Sequence, residues 1–270
     1  MADLTTPRSA TQDFLQSAAI QFRVVGAIML RELHTRFGRN NIGYLWLIAE
    51  PLILSLGISV VHFLSHTDVP FGFDPSMFYA SGYIVFIMFR NNVNRAVDTI
   101  EGNKPLLYHR VVTLHDFVLA RTCLDALAVT GAMIVVTTLF VLTGLSSIPE
   151  RPEYVVASLA FMAWYSWGMA MFVAGAVEVV PIFERFVHPA TYLIMPFSGM
   201  FYVLDGLPPQ FAEIARWVPL TQITDIARMG LRADFQSTYV DVGYITLHCA
   251  LATIFGGLML RIARTRIHFE

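Results

Sequence analysis

A carboxylate followed by a proline interrupts the first long apolar stretch of the sequence, RFGRNNIGYLWLIAEP at 36–51. A charged side chain is costly in hydrocarbon, so Glu50 is expected to face a polar pathway or another helix. The alternative is a neutral or hydrogen-bonded carboxyl that only fixes helix packing. Pro51 lacks a backbone donor and is expected to kink the helix. Tyr44 and Trp46 are either pathway residues or ordinary aromatic residues of the membrane interface.

A second polar group interrupts the apolar segment that contains RNNVNR, 90–95. Four of its polar residues recur at helical spacing and so share one face: Asn91, Asn94, Arg95 and Asp98. Contact between that polar face and lipid hydrocarbon would be unfavourable. The face therefore lines a water-filled path, or it pairs with Arg121 and Asp125, which lie one turn apart on the next apolar segment. Arginines near the inner leaflet also reach the headgroups without any further role.

Apolar side chains are frequent in EGNKPLLYHRVVTLHDF, 101–117, a connection between two apolar segments. Such residues on a cytoplasmic connection predict a docking surface for another protein. The alternative is a short interfacial helix without a partner.

Prolines break the region 181–235 repeatedly, at positions that include Pro189, Pro196 and Pro219. This pattern predicts two short helices that dip back into the outer leaflet. Irregular backbone at that depth requires cover by protein or a cavity. A plain amphipathic loop is the alternative. The arginines of this region have acidic residues nearby that could balance them, namely Arg216, Arg228 and Arg232 with Glu213, Asp225 and Asp234.

The elements that position these residues are predicted to be membrane helices. Of the 270 residues, 56% are hydrophobic and only 14% are charged, a balance rare in water-soluble domains of this size. A span needs roughly 20 apolar residues. Six segments approach that length: 43–64, 76–98, 117–142, 154–177, 186–204 and 240–262.

The distribution of basic residues predicts the orientation of these spans. Lysine and arginine concentrate before the first span, after the second and fourth, and at the end of the chain. The loops at 65–75 and 143–153 together contain a single lysine or arginine, Arg151. The positive-inside rule therefore places both termini in the cytoplasm.

Before the first span, apolar residues recur at steps of three and four: Phe22, Val25, Met29, Leu33 and Phe37. This spacing predicts an amphipathic helix at the inner interface, or alternatively a solvated cytoplasmic helix.

Several classes of activity are disfavoured by the motifs that are missing. The only lysine, Lys104, precedes Pro105, so no phosphate-binding loop ending in Gly-Lys-Ser/Thr exists on this chain. Neither HExxH nor Gly-x-Ser-x-Gly occurs. The two cysteines, Cys123 and Cys249, lie in apolar runs and predict neither a disulfide nor a metal site. No basic patch with interleaved aromatic residues predicts nucleic-acid binding. Catalysis by this chain is not expected, although a membrane-embedded glycan-modifying enzyme remains a distant alternative.

The run RELHTRFGRNNIGYLWLIAEP, with PFSGMFYVLDGLPP and WVPL far downstream, resembles the membrane subunit of type 2 ABC exporters. Within that family it resembles the polysaccharide-export branch, and NIGYLWLIAEP is most similar to capsular polysaccharide exporters. The resemblance covers nearly the whole chain and implies one transmembrane domain, 1–270, with a cytoplasmic tail and gate helix in 1–40. The implied fold is all-α, with six transmembrane helices, an N-terminal amphipathic interfacial helix and re-entrant helices at 205–231, between spans 5 and 6.

The resemblance also implies a function. The chain would form a channel with a second copy of itself in the bacterial inner membrane. Two separate ATPase subunits would carry ATP and Mg, with no cofactor on this chain. The cargo would be lipid-linked capsular polysaccharide, delivered to periplasmic and outer-membrane conduit proteins. O-antigen, teichoic acid or another lipid-linked cargo is the alternative.

The resemblance, together with the polar and apolar residues described above, assigns specific residues to each role; for every aromatic residue of the pathway, helix packing is the alternative. Those of the substrate pathway are Arg36, Arg39, Tyr44, Trp46, Glu50, Asn91, Asn94, Arg95, Tyr192, Phe197, Phe201 and Tyr202. Those of ATPase coupling, in the family's coupling helix, are Glu101, Asn103, Lys104, Leu106, Leu107 and Tyr108.

Overall fold

A computed structural model describes residues 10–37, 43–65, 69–103 and 112–266, without the side chains of 10–15, 36–37, 43–45 and 47. Every regular element in these ranges is helical. The helices are α1 (Ala10–Phe37), α2 (Gly43–Leu64), α3 (Pro75–Ala96), α4 (Leu114–Leu142), α5 (Pro152–Val179), α6 (Glu184–Ile194), α7 (Pro209–Ala215), α8 (Pro219–Leu231) and α9 (Val242–Arg264).

Helix α3 lies at the centre of the bundle. Its side chains are buried without interruption from Ser76 to Phe89, against α2, α4, α5 and α8. Helices α5 and α9 form the closest pair, because glycines remove the side chains between them. A Cβ on Gly256 would lie 2.3 Å from the carbonyl oxygen of Gly168. Small residues at a helix interface allow this close approach in membrane proteins.

Three of the described helices, α4, α5 and α9, are long and apolar enough to cross a membrane. A further apolar stretch, Ile48–Leu64, is shorter. The fifth segment predicted from sequence contains the 11-residue helix α6, which ends at Ile194 and is followed by a 3-10 turn, Met195–Phe197. Pro196 is the second residue of that turn, and proline lacks the donor that continuation of the α-helix requires. Six spans therefore stay a prediction.

Two short helices, α7 and α8, lie where the prolines of the sequence indicate them. Both begin with proline, whose fixed φ suits the first helical position. All side chains of α8 are buried except Met229, which is half-buried, and the helix packs on α5 and α3. Helix α8 is thus an integral layer of the bundle, whereas α7 is mostly exposed, and the depth of both helices in a membrane stays a prediction.

Helix α1 lies along α4, and this contact uses part of the predicted stripe, Val25 and Met29, together with Ile28. Val25 and Ile28 pack on Phe117 and Ala120. Phe22, a member of the predicted stripe, is 79% exposed. The buried residues follow the position of the neighbouring helix, which the spacing within α1 does not reveal.

Candidate functional site: a polar face and its ion-pair networks

An arginine that the sequence analysis did not assign, Arg90, is the centre of a polar cluster on α3. Its guanidinium group donates a hydrogen bond to the Tyr192 hydroxyl of α6. The guanidinium carbon also lies 4.2 Å from the centre of the Tyr192 ring, within cation–π range. No carboxylate of the described residues lies within ion-pair distance of Arg90, and its partner Tyr192 is a neutral phenol that is 56% exposed.

Glu50 of α2 belongs to the same cluster. Tyr83, two helical turns before Arg90 and on the same face of α3, interacts electrostatically with Glu50, Arg90 and Tyr192. The structure thus brings together two predicted pathway residues, Glu50 and Tyr192, through two that were missed. The seven-residue spacing from Tyr83 to Arg90 was the available signal in the sequence.

Further aromatic rings lie on α2, on α3 and after α6. His62 of α2 stacks on Tyr79, with 3.7 Å between ring centres, and Phe201 lies 6.1 Å from His62. Phe201, Phe197 and Trp46 are exposed, whereas His62 and Tyr202 are half-buried and Tyr79 is buried. Most of the predicted aromatic contacts therefore have accessible ring faces, which can stack against sugars.

The polar strip of α3 is largely used for contacts between helices. Arg95 forms an ion pair with Asp125 of α4, the partner that the sequence offered. The Asn94 side-chain oxygen accepts a hydrogen bond of 3.0 Å from the Thr191 hydroxyl of α6. Asn91 is half-buried. Of the two alternatives for this strip, pairing between helices is therefore the observed one for Asn94 and Arg95.

A second network, centred on Arg121, joins α1, α3 and α4. Arg121 donates to Glu32 of α1 at 3.1 Å through Nε. Through Nη1 it donates to the Arg95 carbonyl oxygen at 3.0 Å and to the Thr99 hydroxyl at 2.7 Å. Glu32 is buried, so this is an ion pair largely removed from solvent. Loss of one partner from such a pair is far more costly than the net value of the pair.

The segment predicted to couple to the ATPase is attached to α1 at the same end. Arg31 donates to the side-chain oxygen of Asn103, whose amide donates to the Thr99 carbonyl oxygen at 2.8 Å. Asn103 is completely buried, with its side chain directed into the bundle. Glu101 is exposed. Arg39, Lys104, Leu106, Leu107 and Tyr108 lie outside the described residues, as do the side chains of Arg36 and Tyr44.

A third network lies in α8, at the other end of α3. The fully buried Arg228 pairs with Asp225 at 3.3 Å and donates to the carbonyl oxygens of Met200 and Tyr202. Its guanidinium carbon lies 3.9 Å from the centre of the Phe78 ring. Burial raises the pKa of Asp225 to about 6, and the nearby Arg228 opposes that shift.

The charge balance predicted for this region is confirmed. Besides the pair in α8, Arg216 contacts Glu213 at 2.9 Å and Arg232 contacts Asp234 at 2.6 Å. All three are local pairs within two or three residues, which explains why the sequence revealed them.

The described residues contain no group of three or more histidine, cysteine or acidic residues that could hold a metal ion. Cys123 and Cys249 are free thiols.

Comparison with known proteins identifies the family. Residues 23–231 match the family described as ABC-2 type transporter. The chain is 34% identical to the capsule polysaccharide export inner-membrane protein CtrC of Neisseria meningitidis serogroup B, over 92% of this chain and 93% of the relative. It is 31% identical to the capsule polysaccharide export inner-membrane protein BexB of Haemophilus influenzae, over 92% and 94%. The polysialic acid transport protein KpsM of Escherichia coli is 27% identical over 89% and 93%. The chain therefore belongs to the ABC-2 type transporter family.

Proposed function

We propose that the chain is the channel-forming subunit of an ATP-driven exporter that moves lipid-linked capsular polysaccharide across the bacterial inner membrane. The observation that carries this proposal is the near full-length similarity to relatives named for capsule polysaccharide export. The apolar helices and the polar cluster on α2, α3 and α6 support it.

The pathway runs along the face that holds Glu50, Tyr83, Arg90 and Tyr192, with the corresponding face of a second copy opposite. An arginine without a carboxylate partner attracts acidic groups of a passing polymer, and such attraction is strong where water is partly excluded. Exposed rings provide grip by stacking without fixed hydrogen bonds, so the polymer still slides. Arg36 and Arg39 are proposed at the cytoplasmic mouth.

Coupling to ATP hydrolysis uses the segment 101–117. Two ATPase subunits bind ATP and Mg and press on Lys104, Leu106, Leu107 and Tyr108. Motion of this segment reaches α1 through the bond from Arg31 to Asn103 and through the ion pair from Arg121 to Glu32. Helix α1 then acts as the gate at the channel mouth.

The assembly consists of two copies of this six-span chain with both termini in the cytoplasm. The second half of the route is supplied by periplasmic and outer-membrane conduit proteins.

Deletion of the gene in its native host, followed by staining for polysaccharide inside the cell and at its surface, tests this function. We expect polymer trapped in the cytoplasm and a bare surface, with normal export restored by the wild-type gene on a plasmid. A normal capsule, in a host without a second exporter, would refute the proposed cargo.

A further inference from the structure

A groove of about 490 Å³ separates the first turn of α4 from the last turns of α9. Thr113 and His115 line it on one side, and Arg261 and Arg264 on the other. It lies apart from the polar cluster around Arg90 and from the Arg121 network.

The two arginines of the groove have no anionic partner among the described residues. Both are exposed, and their spacing of three residues puts them on neighbouring positions of one helix face. The acidic residue near the opposite wall, Asp116, is buried and accepts hydrogen bonds from the Thr113 backbone amide, at 2.8 Å, and from Gln21. Positive charge therefore remains unbalanced at this end of the groove.

An apolar wall continues from the basic end along α9. Ile254 and Leu258, which precede the arginines on this helix, line the groove and are 56% and 50% exposed. Gly257 keeps the space between the walls open, since even an added Cβ would remain 3.7 Å from the His115 ring. A basic end joined to an apolar wall matches a ligand with an anionic head and a hydrocarbon tail.

We propose that this groove binds an anionic glycerophospholipid of the inner leaflet. Arg261 and Arg264 hold the phosphate by charge-assisted hydrogen bonds, and an acyl chain lies against Ile254 and Leu258. The predicted orientation places this end of α4 and α9 at the cytoplasmic side, where such headgroups are found. The site is independent of the cargo and would exist in an exporter of any substrate.

Native mass spectrometry of the full-length chain in detergent tests the site, with dioleoyl phosphatidylglycerol and dioleoyl phosphatidylcholine as the two probes. We expect wild type to retain phosphatidylglycerol preferentially. The double variant Arg261→Gln/Arg264→Gln should bind it about tenfold more weakly, because two charge-assisted contacts are lost. Arg185→Gln is the matched control, since Arg185 is exposed at the start of α6, outside the groove. It should retain wild-type binding.

A second variant tests the shape of the groove independently of its charges. Gly257→Leu fills the space beside His115 and leaves both arginines in place, so we expect it to weaken phosphatidylglycerol binding as well. Unchanged thermal unfolding without lipid verifies that each variant is folded.

Three results would overturn the proposal. Equal loss in the Arg185→Gln control would indicate general attraction to any exposed arginine. Equal retention of the two lipids would indicate no headgroup recognition. Displacement of the lipid by inorganic phosphate would identify a site for free anions.

Discussion

Replacement of Arg228 by methionine is expected to destabilise the fold strongly. Arg228 is fully buried and neutralises Asp225, which is also fully buried, at 3.3 Å. It also donates to two carbonyl oxygens, one of them at 2.8 Å. Methionine is a long side chain but has no donor. The variant therefore leaves a buried carboxylate without its cation and removes a donor from two carbonyl groups.

Breaking a buried ion pair by removing one partner costs about 3–5 kcal/mol. In domains of about 150–250 residues each kcal/mol lowers Tm by roughly 2–4 °C, so a fall of roughly 6–20 °C is expected. Thermal unfolding of the purified chain in detergent, followed by tryptophan fluorescence, measures it. The control is Arg232→Met, which removes a half-buried arginine from its pair with the exposed Asp234 and from the Gly72 carbonyl oxygen. Screening by solvent makes such pairs weak, so Tm should hardly change.

The Asp225 carboxylate that remains in Arg228→Met leads to two further expected results. The double variant Asp225→Asn/Arg228→Met should be more stable than Arg228→Met, because no buried charge is left. Burial raises the pKa of Asp225 to about 6 in the presence of Arg228, which opposes the rise. Without Arg228 this pKa rises further, so the protonated carboxyl is favoured in the folded state and stability is lost as pH rises above about 6. Arg228→Met should therefore have a higher Tm at acidic pH than at alkaline pH. Equal Tm loss in Arg228→Met and Arg232→Met would refute this reasoning.

Three further predictions concern transport. Arg90→Gln should reduce surface polysaccharide without lowering the amount of membrane-inserted protein. Arg90→Lys should retain more export because it keeps the charge. Equal export by both variants would contradict an electrostatic role. Glu50→Leu should impair export at normal expression, measured by the same surface stain, and an unchanged capsule would reduce Glu50 to a packing residue. Arg121→Met should uncouple the exporter, giving ATPase activity without export in reconstituted vesicles, whereas Arg121→Lys should preserve part of the transport through the ion pair with Glu32. Export at the wild-type rate by Arg121→Met would exclude the proposed link between α1 and the coupling segment.

Interactions between residues close in sequence could be predicted from spacing alone. The ion pairs of Arg216, Arg228 and Arg232 join residues two or three positions apart, and helical or turn geometry brings such residues together in any context. The two short helices after 205 follow from prolines that can begin a helix but cannot continue one. The apolar composition was likewise sufficient to indicate a membrane protein, because few water-soluble domains contain so little charge.

The tertiary structure alone decided which side chains of RNNVNR pair with other helices and which face outward. Arg95 meets Asp125 and Asn94 meets Thr191, while Arg90, at the start of the same run, faces an exposed tyrosine 102 residues away. Within the predicted stripe of α1, contact with α4 decided that Val25 is buried while Phe22 is exposed. A helix period gives the face on which a residue lies but not the neighbour opposite it. That neighbour depends on how distant segments pack. The sequence alone therefore indicated the membrane class and the local ion pairs, whereas packing decided which distant residues meet in the candidate pathway.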